Sequence, residues 1–435
     1  MKPSYYNVVV GVPGTDTSVI YNTRTCAIAE LDRTERSIYD FMLAGGDPDE
    51  SAGEIVTALA DQGFVMDDPE DEANLLQYQF ERYRYSDSVF ELYVAPTMGC
   101  NFNCPYCFEH KRAGQMSAEV QDALVRFVRD QYEERPYKKL KIVWYGGEPL
   151  LQIDIITALS ERFIAFAEEV GIEYVASVIS NTSLATDDVQ DKLIAAHVWS
   201  VMTTLDGERE VHDLRRINKA GESTFDTIME NVESMTSKGI CVDFRCILEK
   251  GNVESCLRLT ERMAGHENLG IRVKPMRDMS HLGRTVPGAA AVEALEPQDY
   301  AAAFYQVFLQ KKPVASDYER ALEPIRLHCS AAMDRGYAID ELGNAFNCGC
   351  AIGDDSKILF NICEPPETRT VNWGLKSWYN AHNPLALDRC RGCRVLPLCQ
   401  GGCLRRDEEP FSECNPLRYI IEDMVLGYYE ALSTQ

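Results

Sequence analysis

The sequence predicts an α/β fold built on a parallel sheet. Six short runs rich in β-branched and aromatic residues follow one another at positions 92–95, 142–145, 174–179, 201–205, 241–248 and 271–273. Amphipathic stretches typical of helices separate these runs, for example at 117–131, 224–238 and 252–264. Strands that alternate with helices in this way form βαβ units. We therefore expect one central domain whose chemistry lies at the carboxyl ends of its strands.

The first eighty-odd residues predict a smaller module of three strands and several helices. Apolar runs at 6–12, 18–21 and 26–31 indicate the strands. Asp32 and Glu35 have the spacing of a capping box, which opens a helix, and Pro48 with its acidic neighbours opens another. An acidic segment at 67–72 leads into a further helix.

Three cysteines follow the first of the six central strands with the spacing C-x3-C-x2-C, namely Cys100, Cys104 and Cys107. Three thiolates from one loop can hold three irons of a 4Fe–4S cluster and leave the fourth iron open to a small molecule. A purely electron-carrying cluster normally has all four irons held by cysteine. The alternative is a zinc site, although zinc sites usually arrange their thiolates as paired C-x2-C motifs.

The second central strand ends in Gly146-Gly147-Glu148. Glycines let the backbone approach a ligand closely, and a carboxylate accepts hydrogen bonds from an ammonium group. Together with the cysteine loop, this motif resembles the radical S-adenosylmethionine (SAM) superfamily. The resemblance implies that the open iron chelates SAM and that an electron cleaves SAM to a 5′-deoxyadenosyl radical. It also implies that Glu148 and the glycines hold the methionine amino group of SAM.

Two later strand ends fit the same resemblance. It implies that Thr204 contacts SAM, that Arg216 pairs with the SAM carboxylate, and that Tyr106 and Asn181 are further cofactor contacts. Asn181 departs from the Thr-Asn-Gly that is more usual in the family, and a solvated Arg216 after a plain turn is the alternative. The resemblance further implies that residues 89–312 form a partial (βα)6, TIM-like radical SAM barrel.

The C-terminal third carries a second cysteine pattern. The spacing C-x2-C-x5-C-x3-C begins at Cys390, and C-x13-G-x4-C precedes it. These spacings resemble the SPASM domain, with a zinc ribbon as the alternative, and imply two auxiliary 4Fe–4S clusters within residues 313–435. The implied ligands are Cys390, Cys393, Cys399 and Cys414 for the outer cluster, and Cys329, Cys348 and Cys403 for the inner one.

Two departures from the SPASM relatives bear on the reaction. Glu323 stands where sulfatase-maturating relatives have a further cysteine, so the inner cluster either has an open iron or takes Cys350 as its fourth ligand. An open iron could deprotonate and position a substrate thiol. Gly349 stands where those relatives carry an aspartate that acts as a base, which disfavours formylglycine formation.

The N-terminal module, residues 1–88, resembles the winged-helix modules that recognise leader peptides in front of peptide-modifying radical SAM enzymes. Such modules bind an extended leader as an added strand. The alternative is a small domain that only packs on the barrel.

Composition limits the function classes further. The net charge of −25 over 435 residues repels phosphate backbones, so nucleic-acid modification is disfavoured. The sequence shows neither a signal peptide nor a membrane-length apolar stretch, and its 16 cysteines fall into cluster spacings rather than a disulfide framework. We expect a cytoplasmic enzyme without membrane or nucleic-acid partners.

The sequence thus predicts a radical SAM/SPASM peptide maturase. We expect it to join a cysteine sulfur to a carbon of an acceptor residue, as in sactipeptide and ranthipeptide maturation of ribosomally made peptides. The expected cofactors are three 4Fe–4S clusters and SAM. The expected partners are a precursor peptide with a leader and a cysteine-containing core, and an electron donor such as flavodoxin or ferredoxin. Carbon–carbon crosslinking, formylglycine formation and a non-catalytic iron–sulfur or zinc scaffold are the alternatives.

Overall fold

A computed structural model of the chain describes residues 1–276, 293–381, 383–403 and 414–434. The predicted domains at 89–312 and 313–435 therefore include segments that lie outside the described residues. The strands are β1 (Lys2–Pro3), β2 (Asn7–Gly11), β3 (Ser18–Asn22), β4 (Ile28–Leu31), β5 (Val65–Met66), β6 (Val89–Val94), β7 (Lys139–Trp144), β8 (Glu173–Ile179), β9 (Val198–Thr204), β10 (Cys241–Leu248), β11 (Leu269–Pro275), β12 (Gly336–Ile339), β13 (Asn344–Phe346) and β14 (Phe360–Asn361). The helices are α1 (Arg33–Leu43), α2 (Gly53–Asp61), α3 (Pro69–Arg84), α4 (Ala118–Glu134), α5 (Ile153–Val170), α6 (Asp187–Ala195), α7 (Arg209–Arg215), α8 (Phe225–Ser237), α9 (Val253–Met263), α10 (Pro297–Gln310), α11 (Ala315–Ala321), α12 (Trp373–Asn380), α13 (Asp388–Arg391), α14 (Leu396–Cys399) and α15 (Leu417–Ser433).

The chain divides into two compact units, and each draws on separate stretches of sequence. The first unit comprises Met1–Arg84, Pro297–Cys329 and His382–Gln435, and the second comprises Tyr85–Glu296 and Ser330–Ala381. The predicted functional domains at 1–88, 89–312 and 313–435 stay a prediction. Of the helices in the described residues, none combines the length and the apolar character needed to cross a membrane.

The second unit contains a mostly parallel sheet, as the alternating pattern predicts. Within the described residues its strand order is β11-β10-β9-β8-β7-β6-β12-β13-β14. Strands β6 to β11 are parallel to their neighbours and coincide with the six apolar runs, which confirms the predicted α/β class. Strand β12, from the C-terminal part of the chain, adds parallel to β6, whereas β13 and β14 are antiparallel.

The two faces of this sheet differ in burial. In β10, Phe244, Cys246 and Leu248 are fully buried, while the alternate residues Asp243 and Arg245 are half-buried. Helices α8 and α9 pack against this strand. Because side chains alternate along a strand, burial on one side only leaves the other side as a partly polar surface. We call the side that carries Asp243 and Arg245 the open face.

The first unit is built around an antiparallel sheet and the C-terminal helix. Strands β2, β3 and β4 pair in order, which confirms the three N-terminal strand runs. Helix α1 begins with the predicted capping box, because Asp32 accepts from the amides of Thr34 and Glu35 and the Glu35 carboxylate accepts from the Asp32 amide. Val8 of β2 and Met424 of α15 are fully buried in one hydrophobic cluster. The N-terminal strands and the C-terminal helix thus share a core.

Candidate functional site

The cysteine loop follows β6 directly and brings its thiols near one another. Burial raises the pKa of Cys100 to about 11, and the negative charges of Glu148 and Cys104 add to the effect. Burial also raises the pKa of Cys107, while the nearby Lys111 ammonium lowers it. Since thiolate is the form that binds metal, a bound cation would have to displace these protons. Cys100 and Cys107 would therefore release their protons on binding an iron–sulfur cluster.

In the described residues, no three side chains of His, Cys, Asp or Glu are arranged to hold a single metal ion. A four-iron cluster is larger than one ion and spaces its ligands further apart. The C-x3-C-x2-C loop is the part of the described chain that offers three cysteines for such a group beside β6 and β7.

The glycine turn after β7 lies directly against the segment that leads into Cys100. A Cβ on Gly146 would lie 2.3 Å from the Thr97 carbonyl oxygen, and a Cβ on Gly147 would lie 2.3 Å from the Gly99 carbonyl oxygen. The Gly147 amide donates to Thr97 O at 3.2 Å, and the Glu148 amide donates to Gly99 O at 2.8 Å. The glycines therefore permit a close backbone contact that positions the cysteine loop.

Glu148 is fully buried and accepts three hydrogen bonds. The donors are the amide of Leu150 at 3.0 Å, the hydroxyl of Ser180 at 2.7 Å and the amide of Asn181 at 2.7 Å. Burial raises the Glu148 pKa above its ordinary value, while these hydrogen bonds and the Arg216 charge lower it. The side chain of Asn181 in turn donates to Asn101 Oδ1 in the cysteine loop at 2.8 Å. The end of β8 is thus joined to both predicted motifs.

Arg216 belongs to a buried network that reaches the cysteine loop through Tyr106. Its Nη1 donates to the hydroxyl of Tyr106 at 3.0 Å, and that hydroxyl donates to the Asp206 carboxylate. Burial raises the pKa of Tyr106 well above its usual value, and the Asp206 charge adds to the effect. The Nε atom of Arg216 is buried without a hydrogen-bond partner among the described residues. A buried donor of this kind fits an acceptor on a bound ligand.

Sequence reasoning missed Asp206 as the partner of Tyr106, although Asp206 stands only two positions after the predicted SAM contact Thr204. Thr204 ends β9 and pairs in register with Arg245 of β10, on the open face. The predicted SAM contacts Tyr106, Asn181, Glu148 and Arg216 are therefore joined through hydrogen bonds to the cysteine loop or to one another. Thr204 is near these residues because it ends β9, the strand next to β8; in the described residues, no side-chain hydrogen bond links it to them.

Sequence reasoning also missed a buried pair of Tyr145 and Glu109. The Tyr145 hydroxyl donates to the Glu109 carboxylate, and both residues are buried. Burial raises the pKa of Tyr145 well above its usual value, the charges of Glu109 and Cys350 add to this, and the charge of Arg245 opposes it. A Cβ on Gly349 would lie 3.3 Å from the Tyr93 ring and 3.7 Å from the Tyr145 ring. The one sequence signal for this pair is its position beside the two motifs: Glu109 stands two residues after Cys107, and Tyr145 stands one residue before Gly146.

The cysteines predicted for the outer auxiliary cluster lie together in the first unit. Burial raises the pKa of Cys399 to about 11, and the charges of Cys390 and Cys393 raise it further. Arg418 Nη1 donates to Cys414 Sγ at 3.6 Å, and the charges of Cys414 and Cys393 both raise the Arg418 pKa. The sixteen cysteines form no disulfide in the described structure.

The cysteines predicted for the inner cluster belong to different units. Cys329 and Cys403 fall in the first unit, whereas Cys348 and its competitor Cys350 fall in the second. Their common ligation stays a prediction.

Comparisons with known proteins agree with this geometry. Residues 94–262 match the Radical SAM superfamily. A cysteine-type anaerobic sulfatase-maturating enzyme of Clostridium perfringens (strain 13 / Type A) is 24% identical over 367 residues, which cover 76% of this chain and 90% of that enzyme. The solved structure of native anSMEcpe with bound AdoMet and Cp18Cys peptide matches with a TM-score of 0.59 and 18% identity over 80% of this chain and 99% of that one.

A second solved structure, Streptococcus suis SuiB bound to precursor peptide SuiA, matches with a TM-score of 0.52 and 14% identity over 95% of this chain and 98% of that one. The radical SAM fold implies a 4Fe–4S cluster and SAM. Residues 94–262 thus match the Radical SAM superfamily, and the chain is similar in sequence to anaerobic sulfatase-maturating enzymes and similar in fold to anSMEcpe and SuiB.

Proposed function

We propose that the protein is a radical SAM enzyme that forms a thioether between a cysteine sulfur and a carbon of an acceptor residue in a precursor peptide. The observation that carries this choice is the place of Gly349. This position borders the Tyr93 and Tyr145 rings, beside the motifs that would hold the cofactors, yet it offers no carboxylate. A thioether enzyme has no need of the aspartate base that the sulfatase maturases use at this position.

The chain's residues have separable tasks in this proposal. Cys100, Cys104 and Cys107 would hold the cluster, and Glu148 and Arg216 would bind the amino and carboxylate groups of SAM. When bound, these cofactors supply a radical able to abstract hydrogen from a carbon of the peptide. Tyr106 and Asp206 hold the Arg216 guanidinium in place through hydrogen bonds. The glycine turn fixes the backbone of the cysteine loop against β7.

The auxiliary clusters and partners belong to the same proposal. The grouping of Cys390, Cys393, Cys399 and Cys414 supports an outer 4Fe–4S cluster in a SPASM domain. Cys329, Cys348 and Cys403 would hold an inner cluster, which would supply an acceptor for the electron left after coupling. The electron that cleaves SAM would come from a donor such as flavodoxin or ferredoxin. The antiparallel sheet β2-β3-β4 supports a leader-binding role for the N-terminal module, because a leader peptide can extend a sheet of this kind by one strand.

Formylglycine formation is the second candidate, and the buried pair of Glu109 and Tyr145 favours it. The Glu109 carboxylate could accept a proton in place of the missing aspartate, since it lies beside the ring that borders Gly349. The relatedness to sulfatase-maturating enzymes supports the same candidate.

Two measurements test the proposal. The anaerobic, iron-loaded enzyme should convert SAM to 5′-deoxyadenosine in the presence of a reductant. Co-expression with a cysteine-containing precursor peptide encoded near its gene should yield a peptide that has lost two hydrogen atoms and no longer reacts with a thiol-alkylating reagent. A product that still alkylates would indicate carbon–carbon crosslinking, and a product aldehyde would indicate formylglycine. An enzyme that cleaves no SAM would contradict the whole assignment.

A further inference from the structure

Arg245 projects from the middle of the open face of the sheet. It pairs in register with Thr204 of β9 on one side and with Arg272 of β11 on the other. Because neighbours in register on parallel strands point to the same side, these three residues share the open face. Arg245 is half-buried there, between fully buried neighbours in its own strand.

Two ion pairs lie on the same face as Arg245. Arg272 Nη2 lies 2.8 Å from Asp243 Oδ2, and farther along the sheet Lys141 Nζ lies 3.1 Å from Glu91 Oε1. Arg245 differs from both pairs. Its guanidinium contacts the sulfur of Met202, and no carboxylate among the described residues forms an ion pair with it.

The unpaired charge lies next to the motifs of the candidate site. The Arg245 guanidinium is close enough to the Tyr145 hydroxyl to oppose the rise in its pKa, and that hydroxyl contacts Glu109, two residues beyond Cys107. A partly desolvated guanidinium without a counter-ion is costly, and its planar fork matches a carboxylate in two hydrogen bonds. The missing partner is therefore expected to arrive with a ligand.

We propose that Arg245 binds the carboxylate of an acidic side chain in the peptide that the enzyme modifies. This inference rests on the proposed function and gives it a substrate class, namely peptides with an Asp or Glu close to the reacting residue. The same chemistry could come from a second source, the methionine carboxylate of SAM. Arg216, which is held by Tyr106 and has a buried Nε without a partner in the described residues, is the competing site for that group.

The test compares two probes that differ only in charge. Binding of acetyl-Gly-Asp-Gly-amide and acetyl-Gly-Asn-Gly-amide to the iron-loaded, full-length enzyme is measured by calorimetry, and SAM binding is measured separately. The wild-type enzyme should prefer the Asp peptide about tenfold, the ratio expected for one charge-assisted hydrogen-bonded pair. Arg245→Gln should abolish this preference without changing SAM affinity, and Arg245→Lys should retain part of it.

Arg272→Gln is the matched control, because Arg272 lies on the same face but its guanidinium is already paired with the Asp243 carboxylate. It should leave the preference unchanged, and thermal unfolding would verify that all variants are folded. Equal binding of the two peptides to wild type, or no measurable Asp-peptide binding, would overturn the proposal. A loss of SAM affinity in Arg245→Gln would overturn it in favour of the SAM carboxylate. Because these readouts need no turnover, a failure to cleave SAM or to modify a peptide would refute the proposed function and leave the binding result intact.

Discussion

Gly147→Ala should displace the cysteine loop without requiring a strained backbone. Gly147 is absent from the residues with positive φ, so an alanine can adopt its conformation. Its Cβ would nevertheless lie 2.3 Å from the carbonyl oxygen of Gly99 and 2.5 Å from that of Met98. Both contacts are with backbone, which cannot rotate away as a flexible side chain can.

The size of the effect follows from these distances. Real Cβ contacts essentially never fall under 3.0 Å, so the Gly99 carbonyl must retreat by about 0.7 Å, and Cys100 is the next residue. Overpacking of this kind costs about 1–3 kcal/mol of stability. A displacement near 1 Å of a reacting group can lower a rate by about 100-fold. We therefore expect a modest loss of thermal stability and a much larger loss of SAM cleavage.

The assay measures iron content, thermal unfolding and 5′-deoxyadenosine formation in parallel. Gly374→Ala is the matched control, because its nearest neighbour would be Asn372 Oδ1 at 3.7 Å and alanine is the better helix former in α12. This control should cleave SAM at the wild-type rate. A Gly147→Ala variant with wild-type iron content and an unchanged rate would refute the steric argument.

Three further predictions concern metal ligation and pH. Replacing all three cysteines of the C-x3-C-x2-C loop by alanine should abolish SAM cleavage while iron bound by the C-terminal cysteines remains, which iron analysis and product detection would verify. Cys350→Ala should keep the iron content of the wild type if a substrate thiolate fills the inner cluster, and should lose about one cluster of iron if Cys350 is the fourth ligand. Burial lowers the pKa of Lys376 from 10.5 to about 8. Its pKa is therefore lower in the folded chain than in the unfolded chain, and between about pH 8 and pH 10.5 only the unfolded chain keeps the proton. The free energy of unfolding should therefore increase as the pH rises through this range, by at most about 3 kcal/mol. Lys376→Met should remove that dependence. The Tm of the wild type should therefore rise relative to the Tm of the variant between pH 8 and pH 10.5. A Tm difference that stays constant over this range would contradict the assigned pKa shift.

The sequence predicts the central strands well because parallel strands covered by helices are continuous apolar runs. Strands β6 to β11 coincide with such runs, and the capping box of α1 depends only on residues close in sequence. Strand β12 was missed. It has four residues, and its pairing with β6 joins residues more than two hundred positions apart, a relation that no local pattern encodes.

The candidate site divides in the same way. Spacing predicts the cysteine loop and the glycine turn, because each motif forms within a few residues. The contacts of Tyr145 with Glu109 and of Tyr106 with Asp206 depend on how separate strands and loops meet. The same holds for Arg245: among the residues that the structure describes it has no carboxylate partner, which becomes visible only once the Asp243–Arg272 and Glu91–Lys141 pairs are known.

The pairing of β12 with β6 has a consequence for how the enzyme can be dissected. The strand that leads into the cysteine loop is flanked by β7 on one side and β12 on the other, and the Ala95 amide donates to Ile339 O at 2.9 Å. A truncated chain that ends before residue 330 would turn β6 into an edge strand with a row of unpaired backbone groups. Such edges promote self-association, so a barrel fragment expressed alone should aggregate. A soluble minimal enzyme must retain the segment that supplies β12.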